Sequence, residues 1–130
     1  MKMSRRMFRW SNSRVILIVF VSTAAIVRGA DKSPKYTVEE IMKAVFKGED
    51  STSKKIVQGK AASADYDKLV EYLSALPLND PPQGDVAVWK QKTTTLLNAA
   101  IALKDRKPDA LPQYNRAVNC QSCHRDYRPD

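Results

Sequence analysis

The sequence predicts an all-α protein, an antiparallel four-helix bundle with a shortened first helix. Apolar residues recur at helical spacing in separate stretches after residue 36, and brief connections with Pro or Gly divide them. No stretch alternates apolar and polar residues between hairpin turns, as paired strands would. Short connections favour neighbouring helices that run in opposite directions, which is the arrangement of a bundle.

The first predicted helix covers residues 37 to 47 and is followed by a short helical turn over residues 54 to 58. Thr37 and Glu40 form the Thr-x-x-Glu pattern of a capping box. Gly48 can end the helix. The apolar residues of this helix share one face: Val38, Ile41, Met42, Val45 and Phe46.

Two longer helices follow. The second begins with Ser63 as its N-cap and reaches about Leu76, where Pro77 stops it. We expect it to bury Tyr66, Leu69, Val70, Leu73 and Leu76. The third begins at an Asp85 cap and reaches about Lys104. Its apolar positions have the spacing of a bundle seam: Trp89, Thr93, Leu96, Ala100 and Leu103.

The fourth predicted helix begins between Pro108 and Pro112, because proline suits the first turn of a helix and destabilises its interior. We expect it to continue through Tyr114 and Val118 into a cysteine-containing motif at the C-terminus.

That motif is Cys120-Gln121-Ser122-Cys123-His124, the C-x-x-C-H pattern of covalent c-type haem attachment. On a helix, the two thiols and the imidazole fall at neighbouring positions. The pattern predicts one haem c, with thioether bonds to Cys120 and Cys123 and with His124 as a ligand of the iron.

The N-terminus has the pattern of an export signal. Residues 1–14 are basic without an acidic residue, and residues 15–27 are apolar or small. Thirteen residues cover roughly 20 Å of helix, which is shorter than the roughly 30 Å hydrocarbon core of a membrane. We therefore predict cleavage after Gly29, a haem domain over residues 30–130 and a periplasmic location, with membrane attachment only if the signal stays uncleaved. Arg5 and Arg6 resemble a twin-arginine signal, but we interpret them as part of an ordinary basic segment.

The charge of the chain does not indicate nucleic-acid binding. The formal net charge is +8, from 22 Lys and Arg against 14 Asp and Glu. Six of the 22 basic residues lie in residues 1–29, which have no acidic residue, so 16 basic and 14 acidic residues remain after cleavage. The basic excess thus belongs mainly to the targeting segment.

With its tail, the motif is Cys120-x-x-Cys123-His124-x-x-Tyr127-Arg128, which resembles the C-terminal signature of the cytochrome c-prime and cytochrome c-556 family. The resemblance implies a single haem near the end of the last helix of a four-helix bundle. It also implies that Arg128 lies beside the haem and that the protein can form a homodimer. Over the remaining chain, only helix order and approximate length agree.

The group at the sixth coordination position of the iron decides between two functions, electron transfer and gas binding. His124 is the only His, and Met42 is the only Met after residue 29. If Met42 is a ligand, a neutral thioether raises the potential and suits electron transfer; the alternative is that Met42 is ordinary core. If Phe46, one turn away, covers the iron instead, the site is five-coordinate and binds nitric oxide or carbon monoxide, as some c-prime members do.

We thus predict an electron carrier rather than an enzyme, with redox partner proteins outside the cytoplasm. A thiol-disulfide oxidoreductase is the second alternative, but the βαβ setting of such proteins is not predicted here. A zinc site would have only three ligands, since the chain has no other His or Cys.

Overall fold

The protein is mostly helical. The computed structural model describes residues 33–129, which contain no β-strand, and this confirms the all-α class. The predicted export signal and its cleavage site after Gly29 lie outside the described residues. The α-helices are α1 Val38–Ile41, α2 Thr52–Val57, α3 Ser63–Ala75, α4 Val86–Lys104, α5 Ala110–Ala117 and α6 Cys120–Tyr127. A π-helical turn, Met42–Phe46, continues α1, and a 3-10 turn, Leu76–Leu78, continues α3.

The start of α1 has the predicted capping box. The Thr37 hydroxyl accepts a hydrogen bond from the Glu40 N–H at 3.3 Å, and the Glu40 carboxylate accepts one from the Thr37 N–H at 2.8 Å. The predicted single helix widens after Ile41 into the π-helical turn, which the Lys47 N–H closes by donating to the Met42 carbonyl at 3.0 Å. On the predicted apolar face, Ile41 and Val45 are buried, and Val38, Met42 and Phe46 are partly buried.

The beginnings of α2 and α3 differ from the prediction. α2 starts two residues early, because the Ser51 hydroxyl accepts a hydrogen bond from the Lys54 N–H at 3.4 Å and so caps the helix. Ser63 is the first helical residue of α3 rather than its N-cap, which is Ala62. The Asp65 carboxylate accepts the Ala62 N–H at 2.9 Å, so a residue inside the first turn satisfies this backbone donor.

α4 agrees with the prediction throughout. Asp85 caps it by accepting the Val88 N–H at 2.8 Å, and the helix ends at Lys104. All five predicted seam residues are buried: Trp89, Thr93, Leu96, Ala100 and Leu103. The Thr93 hydroxyl donates to the Trp89 carbonyl at 2.8 Å, which satisfies a polar group within the core.

The predicted continuous fourth helix is wrong, because the chain breaks between α5 and α6. Val118 has a ψ of 63°, which is not helical, and Asn119 follows as the N-cap of α6. The Asn119 side chain accepts the Ser122 N–H at 2.9 Å. Because Asn competes with helix continuation by bonding nearby backbone groups, it starts a new helix directly before Cys120.

One core joins the elements. α3 packs on α4, α4 on α5, and α2 and the π-helical turn on α3. Tyr114 of α5 is fully buried and shares a 2.9 Å hydrogen bond with the hydroxyl of Ser53, which is also buried. This bond links α2 to α5 inside the core.

Candidate haem-attachment site

α6 carries the whole C-x-x-C-H motif. Cys120 is its first residue and is exposed, Cys123 is partly buried against the core, and His124 is exposed. Both thiols are free. Since the three residues belong to one helix, they lie within little more than one turn of one another.

The two thiols lie in different surroundings. Burial raises the pKa of the Cys123 thiol, while the ammonium group of Lys92 acts in the opposite direction. Cys120 lies at the exposed start of α6, where the Asn119 side chain caps the helix by accepting the Ser122 N–H. The motif thus offers one exposed thiol and one that contacts the core.

The ammonium group of Lys92, on α4, lies close to three residues of α6. Its ammonium group donates to the Ser122 hydroxyl at 3.0 Å and to the Asp126 carboxylate at 3.1 Å. The same group lies 5.4 Å from the centre of the Tyr127 ring. Arg125 and Lys92 hold the pKa of the Asp126 carboxyl below its usual value, so this carboxylate stays charged at neutral pH.

Tyr127 fastens the C-terminal end of α6 to the start of α4. It is 4 % exposed, and its ring meets the Trp89 ring edge-on, with centroids 5.1 Å apart. The Trp89 indole N–H in turn donates to the Asn79 carbonyl at 2.8 Å. The resemblance singled out Tyr127 by its place in the motif; the structure shows it as part of the core.

Arg128 follows α6 as its C-cap and is exposed. Its carbonyl accepts a hydrogen bond from the Gln83 side chain at 2.7 Å, which ties the chain to the loop before α4. A role of its guanidinium beside the haem stays a prediction.

Met42 and Phe46, the two candidates for the distal side of the iron, lie in the π-helical turn, which packs on α2 and α3. Hydrogen bonds connect Tyr36, two residues before α1, to the start of α4: the Asn79 side chain donates to the Tyr36 carbonyl at 2.9 Å, and the Asn79 carbonyl accepts from the Trp89 indole at 2.8 Å. Met42 comes one helical turn after the start of α1. Ligation by Met42 stays a prediction.

The donor groups of the motif are distributed along α6. Among residues 33–129, no three His, Cys, Asp or Glu side chains gather closely enough to hold a metal ion. A zinc site needs such convergence. In c-type attachment the thiols bind the porphyrin edge and only the imidazole approaches the iron, so the spread of Cys120, Cys123 and His124 along α6 is compatible with it.

Sequence reasoning missed three residues that position α6: Lys92, Asn119 and Gly84. Asn119 had a signal, since Asn before a helical segment is a preferred N-cap. Lys92 had none, because its partners are 30 and 34 residues away in the chain. Gly84 has a φ of +85° and faces Tyr127, a contact that local sequence does not reveal.

Comparison of the chain with protein-family models, curated proteins and solved structures gave no significant match. Within the described range, none of the helices has the length and apolar character needed to cross a membrane.

Proposed function

We propose that the protein is an exported c-type cytochrome that carries one electron on a single covalently attached haem. The observation that carries this proposal is that two free thiols and an imidazole, those of Cys120, Cys123 and His124, lie within little more than one turn of a single short helix. This donor set corresponds to the covalent and axial bonds of haem c.

The bound haem supplies the redox chemistry, with iron alternating between the ferric and ferrous states. The chain does the rest. Cys120 and Cys123 hold the porphyrin, His124 ligates the iron, and the packing of Tyr127 on Trp89 fixes the helix that carries them. The exposure of Cys120 and His124 supports access for redox partner proteins in the periplasm.

We further propose the antiparallel four-helix arrangement of the cytochrome c-prime and cytochrome c-556 group. Asp67 near the start of α3 pairs with Lys104 at the end of α4 at 2.9 Å, and Asn79 after α3 bonds Trp89 near the start of α4. These two contacts support opposite directions for α3 and α4. The packing of α5 on α4 and the Lys92–Asp126 pair support a place beside α4 for the last two helices.

For the distal side of the iron we propose Met42, the only thioether after residue 29. Its partly buried position on the first helical segment supports this role. We expect a low-spin ferric spectrum with the far-red sulfur-to-iron band, and we expect Met42→Ala to make the iron high-spin. A high-spin wild type that binds carbon monoxide when reduced would instead favour the five-coordinate gas-binding alternative, with Phe46 over the iron.

Covalent attachment is tested by producing the chain together with a haem-maturation system. We expect the haem stain to survive denaturing electrophoresis in the wild type and in Gln121→Ala. Gln121 is the control because it lies between the two cysteines but binds neither the porphyrin nor the iron in the proposal. We expect the stain to be lost in the Cys120→Ala, Cys123→Ala double variant. A wild type without covalent haem would refute the cytochrome proposal.

The second candidate is a thiol-disulfide oxidoreductase, favoured by the exposed thiol at the start of α6 and the partly buried thiol one turn later. It predicts that the reduced chain without haem reduces disulfides in a substrate protein, and that Cys120→Ala abolishes this.

A homodimer, implied by the resemblance, is tested by sedimentation of the haem-loaded protein.

A further inference from the structure

Lys92 is the residue of α4 whose side chain bonds most extensively to the motif helix. Its ammonium group reaches Ser122 at 3.0 Å and Asp126 at 3.1 Å, so it contacts α6 on both sides of Cys123 and His124 in the chain. The side chain is 29 % exposed, and the Asp126 side chain is 36 % exposed. The pair is therefore partly shielded from solvent, unlike an ordinary surface pair.

The Lys92 contact matters because few interactions hold α6 against the other helices. Backbone helix hydrogen bonding does not run from α5 into α6, because the chain breaks at Val118 and Asn119. The orientation of α6 therefore depends on side-chain contacts. Near its C-terminal end the contact is Tyr127 on Trp89; along its middle the contact is Lys92 with Ser122 and Asp126.

The charge of Lys92 also lies close to the proposed cofactor. Ser122 immediately precedes Cys123, the residue expected to bind the porphyrin, and Asp126 is two residues beyond His124. A positive charge beside the haem stabilises the ferrous state, which carries one more electron, relative to the ferric state. Asp126 acts in the opposite direction, but Arg125 also pairs with it at 2.9 Å.

We propose that Lys92 is a positioning residue for the haem, which holds α6 against α4 and raises the reduction potential of the iron. This inference rests on the proposed cytochrome function. A solely structural role would change stability and leave the potential of the folded protein unchanged.

The test compares the midpoint potentials of haem-loaded Lys92→Gln and Lys90→Gln. Both changes remove one positive charge from α4, but Lys90 is exposed, and its side chain is not among the groups that contact α6. We expect Lys92→Gln to lower the ratio of reduced to oxidised protein at a fixed potential about threefold, or about 28 mV at 59 mV per tenfold change. Lys90→Gln should shift the midpoint potential by less than half as much.

Two further variants test the effect of Lys92 on the potential if Lys92→Gln folds poorly. Asp126→Asn removes the opposing charge and should raise the potential, and Lys92→Arg, which keeps the charge, should retain the wild-type value. Equal shifts in Lys92→Gln and Lys90→Gln, or no rise in Asp126→Asn, would overturn the role of Lys92 while leaving covalent haem in place. Absence of haem from the wild type would overturn the cytochrome proposal itself, and this inference with it.

Discussion

The ring of Tyr127 lies against Gly84, in space that a side chain on Gly84 would occupy. A Cβ atom at this position would come within 2.9 Å of two carbon atoms of the ring and of the Asp126 carbonyl oxygen. The backbone of Gly84 also has a φ of +85°, which L-residues with side chains rarely adopt. The end of the motif helix can therefore pack closely on the loop before α4 only because residue 84 is a glycine.

Gly84→Ala should destabilise the protein strongly, because it combines backbone strain with a collision in a packed region. We expect a loss of about 3 kcal/mol in the free energy of unfolding, measured by urea denaturation of the haem-loaded protein. Gly59→Ala is the matched control: Gly59 also has a positive φ, of +69°, but nothing lies within 4 Å of its Cβ position. It should lose only about 1 kcal/mol. Similar losses in both variants would show that the contact with Tyr127 is unimportant.

Tyr127 should contribute through its ring rather than its hydroxyl. The hydroxyl is 3.5 Å from the Asp85 carbonyl, a long hydrogen bond, whereas the ring is buried against Trp89. We expect Tyr127→Phe to change the free energy of unfolding by less than about 1 kcal/mol, and Tyr127→Ala to lower it by about 3 to 5 kcal/mol. Thermal and urea unfolding followed by helical circular dichroism measure both. A large loss of stability in Tyr127→Phe would show that the hydroxyl, and not only the ring, contributes.

Asn119 should stabilise α6 as its N-cap. Asn119→Ala removes the acceptor for the Ser122 N–H, and we expect it to cost about 1 kcal/mol in the free energy of unfolding. Asn115→Ala on the exposed side of α5 makes the same chemical change within a helix, where Ala is favoured, so it should be neutral or slightly stabilising. Equal effects at both positions would argue against the capping role.

Tyr114 should make the protein less stable at high pH. Burial raises the pKa of its phenol to about 12 in the folded protein, while the ordinary value is 10.0. Between these values the folded state holds the proton and the unfolded state releases it, so stability is retained below pH 10 and falls as the pH rises toward 12. We expect a loss of about 1 kcal/mol between pH 9 and pH 11 from this group.

Tyr114→Phe isolates this contribution from the lysines that titrate in the same range. The variant should be less stable at pH 7, because the Ser53 hydroxyl loses its partner, but its stability should fall less steeply between pH 9 and pH 11. The slopes of the free energy of unfolding against pH are compared for the two proteins. Parallel slopes would show that the phenol does not ionise differently in the two states.

Local signals in the sequence predicted much of the fold. The Asp85 cap, the Thr37 capping box and the seam from Trp89 to Leu103 each depend on residues within one or two turns, and all are confirmed. The N-cap of α3 was predicted at Ser63, because Ser is a preferred capping residue, but the cap is Ala62, whose N–H donates to the Asp65 carboxylate. The continuous last helix was wrong because the preference of Asn119 for capping outweighed the helical spacing around it.

The motif residues were also evident from the sequence, since Cys120, Cys123 and His124 lie within five consecutive residues. Their supports were not. Lys92, Gly84 and Trp89 approach α6 from 30 or more residues away, and no local pattern encodes such pairings. The motif that predicts haem attachment was therefore visible in the local sequence, whereas the contacts that position its helix were not.

The break at Val118 and Asn119 separates α6 from the backbone hydrogen bonding of α5. Opening it requires the loss of the Lys92 and Tyr127 contacts and of one bond from Gln83, while the Ser53–Tyr114 link and the α3–α4 packing stay formed. Local opening of this kind has a lower free energy than global unfolding. Such an opening would expose the Cys123 thiol while the other helices stay folded, so the proposed haem attachment would not require the whole core to unfold.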